Sequence, residues 1–245
     1  MSIEISFTLL IILFILFIAS TIRSAFGFGD ALIAMPLMAF FLDIKTATPL
    51  IALIGFSSSL LILIKNWRTA YIKGLWKLIL FCVLGIPIGL IFLNSSDEKI
   101  VKIVLGFIII LFCFINLFSK NKILLKSNNY YWIFGFLSGI LGGAYNTNGP
   151  PIIIYGKLKN WDSQNFRAIL QSIFLPTNFF ILIGQGSIGL INSSVISYFV
   201  CSIPLVLIGT YLGGILNIKL SKEKFKKIID IMLIIIGIVL IINNI

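Results

Sequence analysis

The chain has 245 residues, 59% of them hydrophobic and only 11% charged, with a net charge of +11 and a mean hydropathy of +1.12. A soluble domain carries about 25% charged residues, and no long polar stretch exists here to form one. A soluble catalytic domain is therefore excluded, and the composition is that of an all-α polytopic membrane protein.

Ten apolar segments follow in chain order: Ile5–Ser24, Ala31–Leu42, Thr46–Ile64, Gly74–Leu93, Ile100–Phe118, Tyr130–Leu141, Gly149–Tyr155, Phe166–Gly184, Ser193–Leu216 and Lys227–Ile242. The first has the hydropathy of a signal peptide. It lacks a basic n-region and a small-residue cleavage site, so it is read as a retained helix. The second, sixth and seventh are shorter than the roughly 20 residues a span needs. They flank two breaks, Gly27–Asp30 and Gly142–Pro151, and suit paired half-helices. The breaks hold glycine, asparagine and a Pro150-Pro151 pair, which interrupt a helix. Irregular backbone at membrane depth survives only when buried in protein or lining a wet cavity.

The two halves look duplicated. Gly27 to Pro36 matches Gly142 to Pro151 at a shift of 115 residues. Gly85-x-x-x-Gly89 matches Gly209-x-x-x-Gly213, and Ser96 to Ile103 matches Ser221 to Ile228. Three matches in the same order indicate an internal repeat. The expected organisation is residues 1–118 as a first repeat, 119–129 as a basic cytoplasmic linker and 130–245 as a second, inverted repeat. If every segment changes sides, all the basic residues except Lys45, Lys99 and Lys102 collect on one side, which places both termini outside the cytoplasm. Five segments per half is an odd number, so the halves are antiparallel. Inverted repeats with broken helices are the pattern of secondary transporters, with the site near the midplane.

Chemistry-bearing residues gather at the breaks. Asn146, Thr147 and Asn148 precede Gly149-Pro150-Pro151, an arrangement in which asparagine caps a helix with proline in its first turn. A helix starting inside the membrane offers free N–H groups and a partial positive charge to an anion. The alternative is that these asparagines only fill and cap the break. In the first break, Gly27-Phe28-Gly29-Asp30 is no dinucleotide fingerprint, because no strand precedes it and the third glycine is missing. Asp30 is either an N-cap or a coupling site for a proton or cation. Arg23 is either a snorkelling anchor or an anion ligand. In the eighth segment Arg167, Gln171, Phe174 and Asn178 recur at i, i+4, i+7 and i+11 and share one face, with Pro176 positioned to kink the helix. The third segment carries a weaker polar echo at Thr46, Leu50, Leu53 and Ser57, and Ser57-Ser58-Ser59 reads as helix packing. Gly85, Gly89, Gly209, Gly213 and Gly214 read as close helix contacts, and Asp230 as an interfacial charge beside Lys226 and Lys227.

Other chemistries lack their residues. There is no histidine, and Cys82, Cys113 and Cys201 are scattered through apolar segments without a C-x-x-C pair. No metal or cofactor is expected, and the cysteines read as packing residues. No Ser/His dyad or paired aspartate supports an enzyme. The basic residues sit in short connections rather than a basic domain, so no nucleic-acid partner is expected.

The motifs Gly27 to Pro36, Gly142 to Gly156 (G-G-A-Y-N-T-N-G-P-P-I-I-I-Y-G) and Phe166 to Gln171 (F-R-A-I-L-Q) resemble the TauE/SafE family of sulfite and organosulfonate exporters, in its branch with a G-G-x-x-N-T-N-G-P-P motif. The resemblance covers essentially the whole chain. It implies a permease of two related halves in a prokaryotic inner or plasma membrane, and substrates that are small sulfur-containing anions. The expected function is a secondary transporter of a small anion working by alternating access. An anion channel, or a membrane subunit working with a partner protein, is the alternative. The expected substrate ligands are Arg23, Gly27, Gly29, Asn146, Thr147, Asn148, Gly149, Arg167, Gln171 and Asn178, with Asp30 as the coupling candidate. The expected partners are the anion and the lipid bilayer, with homo-oligomerisation left open.

Overall fold

The computed structural model describes residues 7–65, 75–118, 130–161, 166–219 and 222–245. Ten helices run in chain order: α1 (Phe7–Phe26), α2 (Asp30–Met38), α3 (Ile44–Lys65), α4 (Trp76–Ser95), α5 (Glu98–Phe118), α6 (Tyr131–Tyr145), α7 (Gly149–Leu158), α8 (Phe166–Ser187), α9 (Ser193–Lys219) and α10 (Lys222–Ile242). Among the described residues all regular structure is helical. Helices α1, α3, α4, α8 and α9 are long and apolar enough to cross a membrane. The half-helices α2 and α7 have 9 and 10 residues, which is about 14–15 Å of helix, half the hydrocarbon thickness. The basic linker 119–129 lies outside the described residues. So do the side chains of 217–230, and with them Asp230 and the lysine-rich counterpart of the Asp97–Lys99 turn.

The ten expected segments are all present, with shifted ends. Helix α2 stops at Met38 rather than Leu42, four residues early. Helix α6 runs on to Tyr145, through Gly142 and Gly143, so those glycines are not part of the break. They are packing surface. A Cβ on Gly143 would collide with the Ile86 carbonyl, and one on Gly142 would stand 2.9 Å from Ile181 Cδ1. Lipid gives no hydrophobic drive for helix association, so close van der Waals approach of small residues takes over.

That principle sets the two tightest pairs. Helix α4 lies along α6, with Gly85 and Gly89 set into Gly139 and Gly143; a methyl on Gly139 would overlap the Cys82 carbonyl. Helix α1 lies along α9, where Gly209 and Gly213 receive Ser20, Thr21 and Ser24, and Ser24 donates to the Thr210 carbonyl at 2.5 Å. The remaining pairs are α5 with α10, through Gly106 and Gly237, and α3 with α8. The expected close-contact glycines therefore sit at helix crossings, except Gly214, whose added Cβ would meet only Ser24 Oγ, at an ordinary 3.8 Å. Cys82 and Cys113 are buried, and none of the three cysteines is in a disulfide.

The two helix–break–helix units are spaced alike along the chain. Phe26 and Tyr145, which end α1 and α6, are 119 residues apart (145 less 26). Asp30 and Gly149, which begin α2 and α7, have the same separation (149 less 30). The helix ends at the two breaks are thus offset by 119 residues, against the 115 of the sequence match.

Candidate functional site

The two breaks are built from left-handed backbone. Gly27 and Gly29 have φ of 85° and 99°, and Asn146, at the end of α6, has φ of 55°. Glycine adopts this conformation freely, and asparagine is the side chain that most readily replaces it at a helix end. The N–H of Asn146 returns to the Gly142 carbonyl at 2.8 Å and that of Thr147 to Leu141 at 3.2 Å, which closes α6. Pro150 and Pro151 then open α7 without losing a backbone bond.

The caps differ from those read in the sequence. Gly29, not Asp30, precedes α2, and the Asp30 side chain faces Arg23 instead. Asn148 does occupy the position before α7, yet its side chain makes no cap bond. Its amide donates instead to Thr177 Oγ1 at 3.1 Å and Asn178 Oδ1 at 3.4 Å on α8, while Ser138 Oγ of α6 holds the Asn148 carbonyl at 2.6 Å.

Arg23 is the hub of the first break. It is 3% exposed, and Asp30 is 4% exposed. Its Nη1 lies 2.5 Å from Asp30 Oδ2, and its Nη2 donates to Ser59 Oγ at 2.5 Å and Gln171 Oε1 at 3.2 Å. The guanidinium also lies 5.4 Å from the centre of the Phe174 ring, within cation–π range. Gln171 uses its other end to donate to the Gly27 carbonyl at 2.6 Å. One glutamine of α8 thereby ties the backbone of the break to the arginine beside it.

Both breaks open onto one small cavity of about 10 Å³, lined by Arg23, Gly29, Asp30, Asn146, Asn148 and Gly149 among others. This is room for about one water. The first turns of α2 and α7 both border it, so two helix N-termini contribute partial positive charge to one point. Asn146 Oδ1 and Arg23 Nε are buried there without a partner. Buried polar groups are nearly always paired, so these two atoms, at the junction of the two breaks, make it a candidate site.

The ten expected ligands and Asp30 therefore fall into three sets, the third being Gly27 and Arg167, which do not line the cavity. Arg23, Gly29, Asp30, Asn146, Thr147, Asn148 and Gly149 line the cavity. Gln171 and Asn178 stand behind it and hold Arg23, Gly27 and Asn148 in place. Arg167 does not reach the cavity. Its stem covers Gly27, where an added Cβ would stand 3.1 Å from Cγ, and its Nη2 donates to Ser24 at 3.3 Å.

Three residues outside the expected set, Ser59, Thr177 and Gly55, also take part, and Phe174 of the expected α8 face joins them. Ser59 binds Arg23 rather than serving helix packing, whereas Ser57 returns to its own helix at Leu53. Thr177 receives Asn148, and Phe174 stacks on Arg23. A Cβ on Gly55 would lie 3.1 Å from Asn178 Nδ2 and 3.4 Å from Asn146 Nδ2. The signal for two of these was present in the spacing. Thr48, Ala52, Gly55 and Ser59 repeat the i, i+4, i+7, i+11 pattern of α8 at a shift of 119, two residues on from the expected echo.

The family model described as "Sulfite exporter TauE/SafE" matches residues 12–240. The chain belongs to the TauE/SafE family. Comparisons with curated proteins and with solved structures find no match. The matched region of this TauE/SafE protein takes in both breaks, the cavity between them and the polar face of α8. Membership and the apolar helices make it a multi-pass membrane protein of a transporter family.

Proposed function

We propose that the chain is a secondary transporter of a small anion, such as sulfite, a sulfonate or another small organic anion, and that the anion binds between the two breaks. The observation that carries this reading is the buried Arg23 beside two helix starts that border the same cavity. A charge at membrane depth is costly and marks a substrate or ion path. The Asp30 carboxylate offsets Arg23, and the α2 and α7 termini leave the site biased toward negative charge. The pattern of helix pairs supports two halves related by a twofold axis. Helices α4 and α6 pair as α9 and α1 do, while α3 with α8 and α5 with α10 pair equivalents. Placing those halves antiparallel, with both termini outside a prokaryotic inner or plasma membrane, rests on the distribution of basic residues.

The size of the cavity supports alternating access. A cavity of about 10 Å³ holds one water and no polyatomic anion. The breaks must separate toward one face to admit substrate and toward the other to release it. Asp30 is the coupling candidate, since an anion at Arg23 competes with it for the guanidinium and protonation of Asp30 relieves that competition.

The test is sulfite flux in proteoliposomes. A carrier gives saturable uptake accelerated by sulfite on the opposite side. Unsaturable flux driven only by the electrochemical gradient would instead establish a channel. Activity restored only by a co-purifying partner would establish a subunit.

A further inference from the structure

A thin apolar layer separates the small cavity from a larger one. Asn148 borders the small cavity, and Ile181 of α8 presses beside it on Gly142, where an added Cβ would meet Ile181 Cδ1 at 2.9 Å and Asn148 Cβ at 3.2 Å. Ile181 is fully buried and belongs to an apolar cluster with Ala52, Ile86 and Leu90, apart from the main core. On the far side Ile86 and Leu90 line a cavity of about 390 Å³ between α4 and α8. That cavity reaches the surface where both helices end, at the exposed Asn94, Ser95 and Ser187. Ile181 lines neither cavity and stands between them.

The polar face of α8 is interrupted at the same place. Gln171, Asn178 and Gln185 recur every seven residues, about 10 Å apart along the helix, and Ile181 falls between the last two. Gln171 and Asn178 are hydrogen-bonded, whereas Gln185 is fully buried with neither end of its amide paired among the described residues. It adjoins Gly184, which lines the larger cavity. An apolar constriction stops ions by excluding water. We propose that Ile181, with Ile86 and Leu90, is the gate on this side of the anion site, and that the α4–α8 cavity is the vestibule the anion crosses when the gate opens. This rests on the transport reading and adds the route. Parting the layer wets Gln185 and frees its amide N–H for the passing anion. Among the described residues no charged side chain lines the vestibule, so it passes the anion without holding it.

The test is sulfite release from loaded proteoliposomes with none outside. Ile181→Ser makes the layer polar, and release through it should be at least tenfold faster than in wild type. A side chain needed only for packing would lower the melting temperature and leave that rate unchanged, so an unchanged rate in the folded variant overturns the gate. Ser187→Cys tests the vestibule without touching the core. A thiol reagent large enough to fill the cavity should cut sulfite counterflow by this variant at least tenfold. The same treatment of wild type, or of a cysteine at Ser194, exposed at the start of α9, should not. Full counterflow by labelled Ser187→Cys overturns the route, and this arm decides alone if Ile181→Ser does not fold. Wild type that neither releases nor exchanges sulfite removes the transport proposal itself.

Discussion

Asp30→Asn isolates the central ion pair. The carboxylate lies 2.5 Å from Arg23, and the two side chains are 6% and 4% exposed. Asparagine keeps the shape and one acceptor but leaves the guanidinium without a counter-charge. Removing one partner of a buried pair costs about 3–5 kcal/mol. Arg23 retains Ser59, Gln171 and the Phe174 ring, so the lower end, about 3 kcal/mol, is expected. For a chain of this size that is roughly a 6–12 °C fall in melting temperature. The assay is thermal unfolding of purified protein followed by tryptophan fluorescence. Arg23→Met combined with Asp30→Asn removes both charges and should recover most of the loss, because no uncompensated charge is then left buried. Equal stability of wild type and Asp30→Asn, or additive losses in the double variant, would refute the claim that the two charges are held as one unit.

Further outcomes are expected from the same geometry. Asp30 is the one carboxylate lining the cavity among the described residues, so stimulation of sulfite transport by an imposed proton gradient should be lost in Asp30→Asn; unaltered stimulation would leave the aspartate a purely structural partner of Arg23. Gly139→Ala should sharply reduce monodisperse protein on size exclusion, since its methyl would overlap the Cys82 carbonyl, whereas Gly186→Ala, whose methyl meets only Ile191 at 3.8 Å, should not. Cysteines introduced at Ser95 and Asn160, both exposed at helix ends, should react with an impermeant thiol reagent from opposite sides of the membrane; labelling from the same side would contradict the inverted arrangement.

The helical architecture and both breaks were legible because their signals are local. The runs Gly27 to Asp30 and Asn146 to Pro151 carry helix-stopping residues close together, and Asn146 and Gly27 end their helices through left-handed backbone. The polar face of α8 was legible for the same reason, as a period along one helix. What was not legible depends on partners from other elements. Gly142 and Gly143 carry the same letters as a break but sit in helix, because α4 and α8 approach them closely. Asn148 has the chemistry of a cap, yet Thr177 and Asn178 offer its amide better-placed acceptors. Arg167 shares a face with Gln171 and is drawn aside to cover Gly27 and meet Ser24. Ser59 and Gly55 stand two residues on from the expected echo at Ser57 and Leu53, and what marks them is contact with Arg23 and Asn178 from other helices, which the α3 sequence alone does not carry.

The most direct test of the proposed anion site is the initial rate of sulfite counterflow by Asn148→Ala reconstituted at the same density as wild type. This residue lines the cavity and is itself held by α8 and α6. The expected result is a rate at least tenfold lower with protein still folded and inserted. A rate equal to wild type would contradict the placement of the anion between the two breaks.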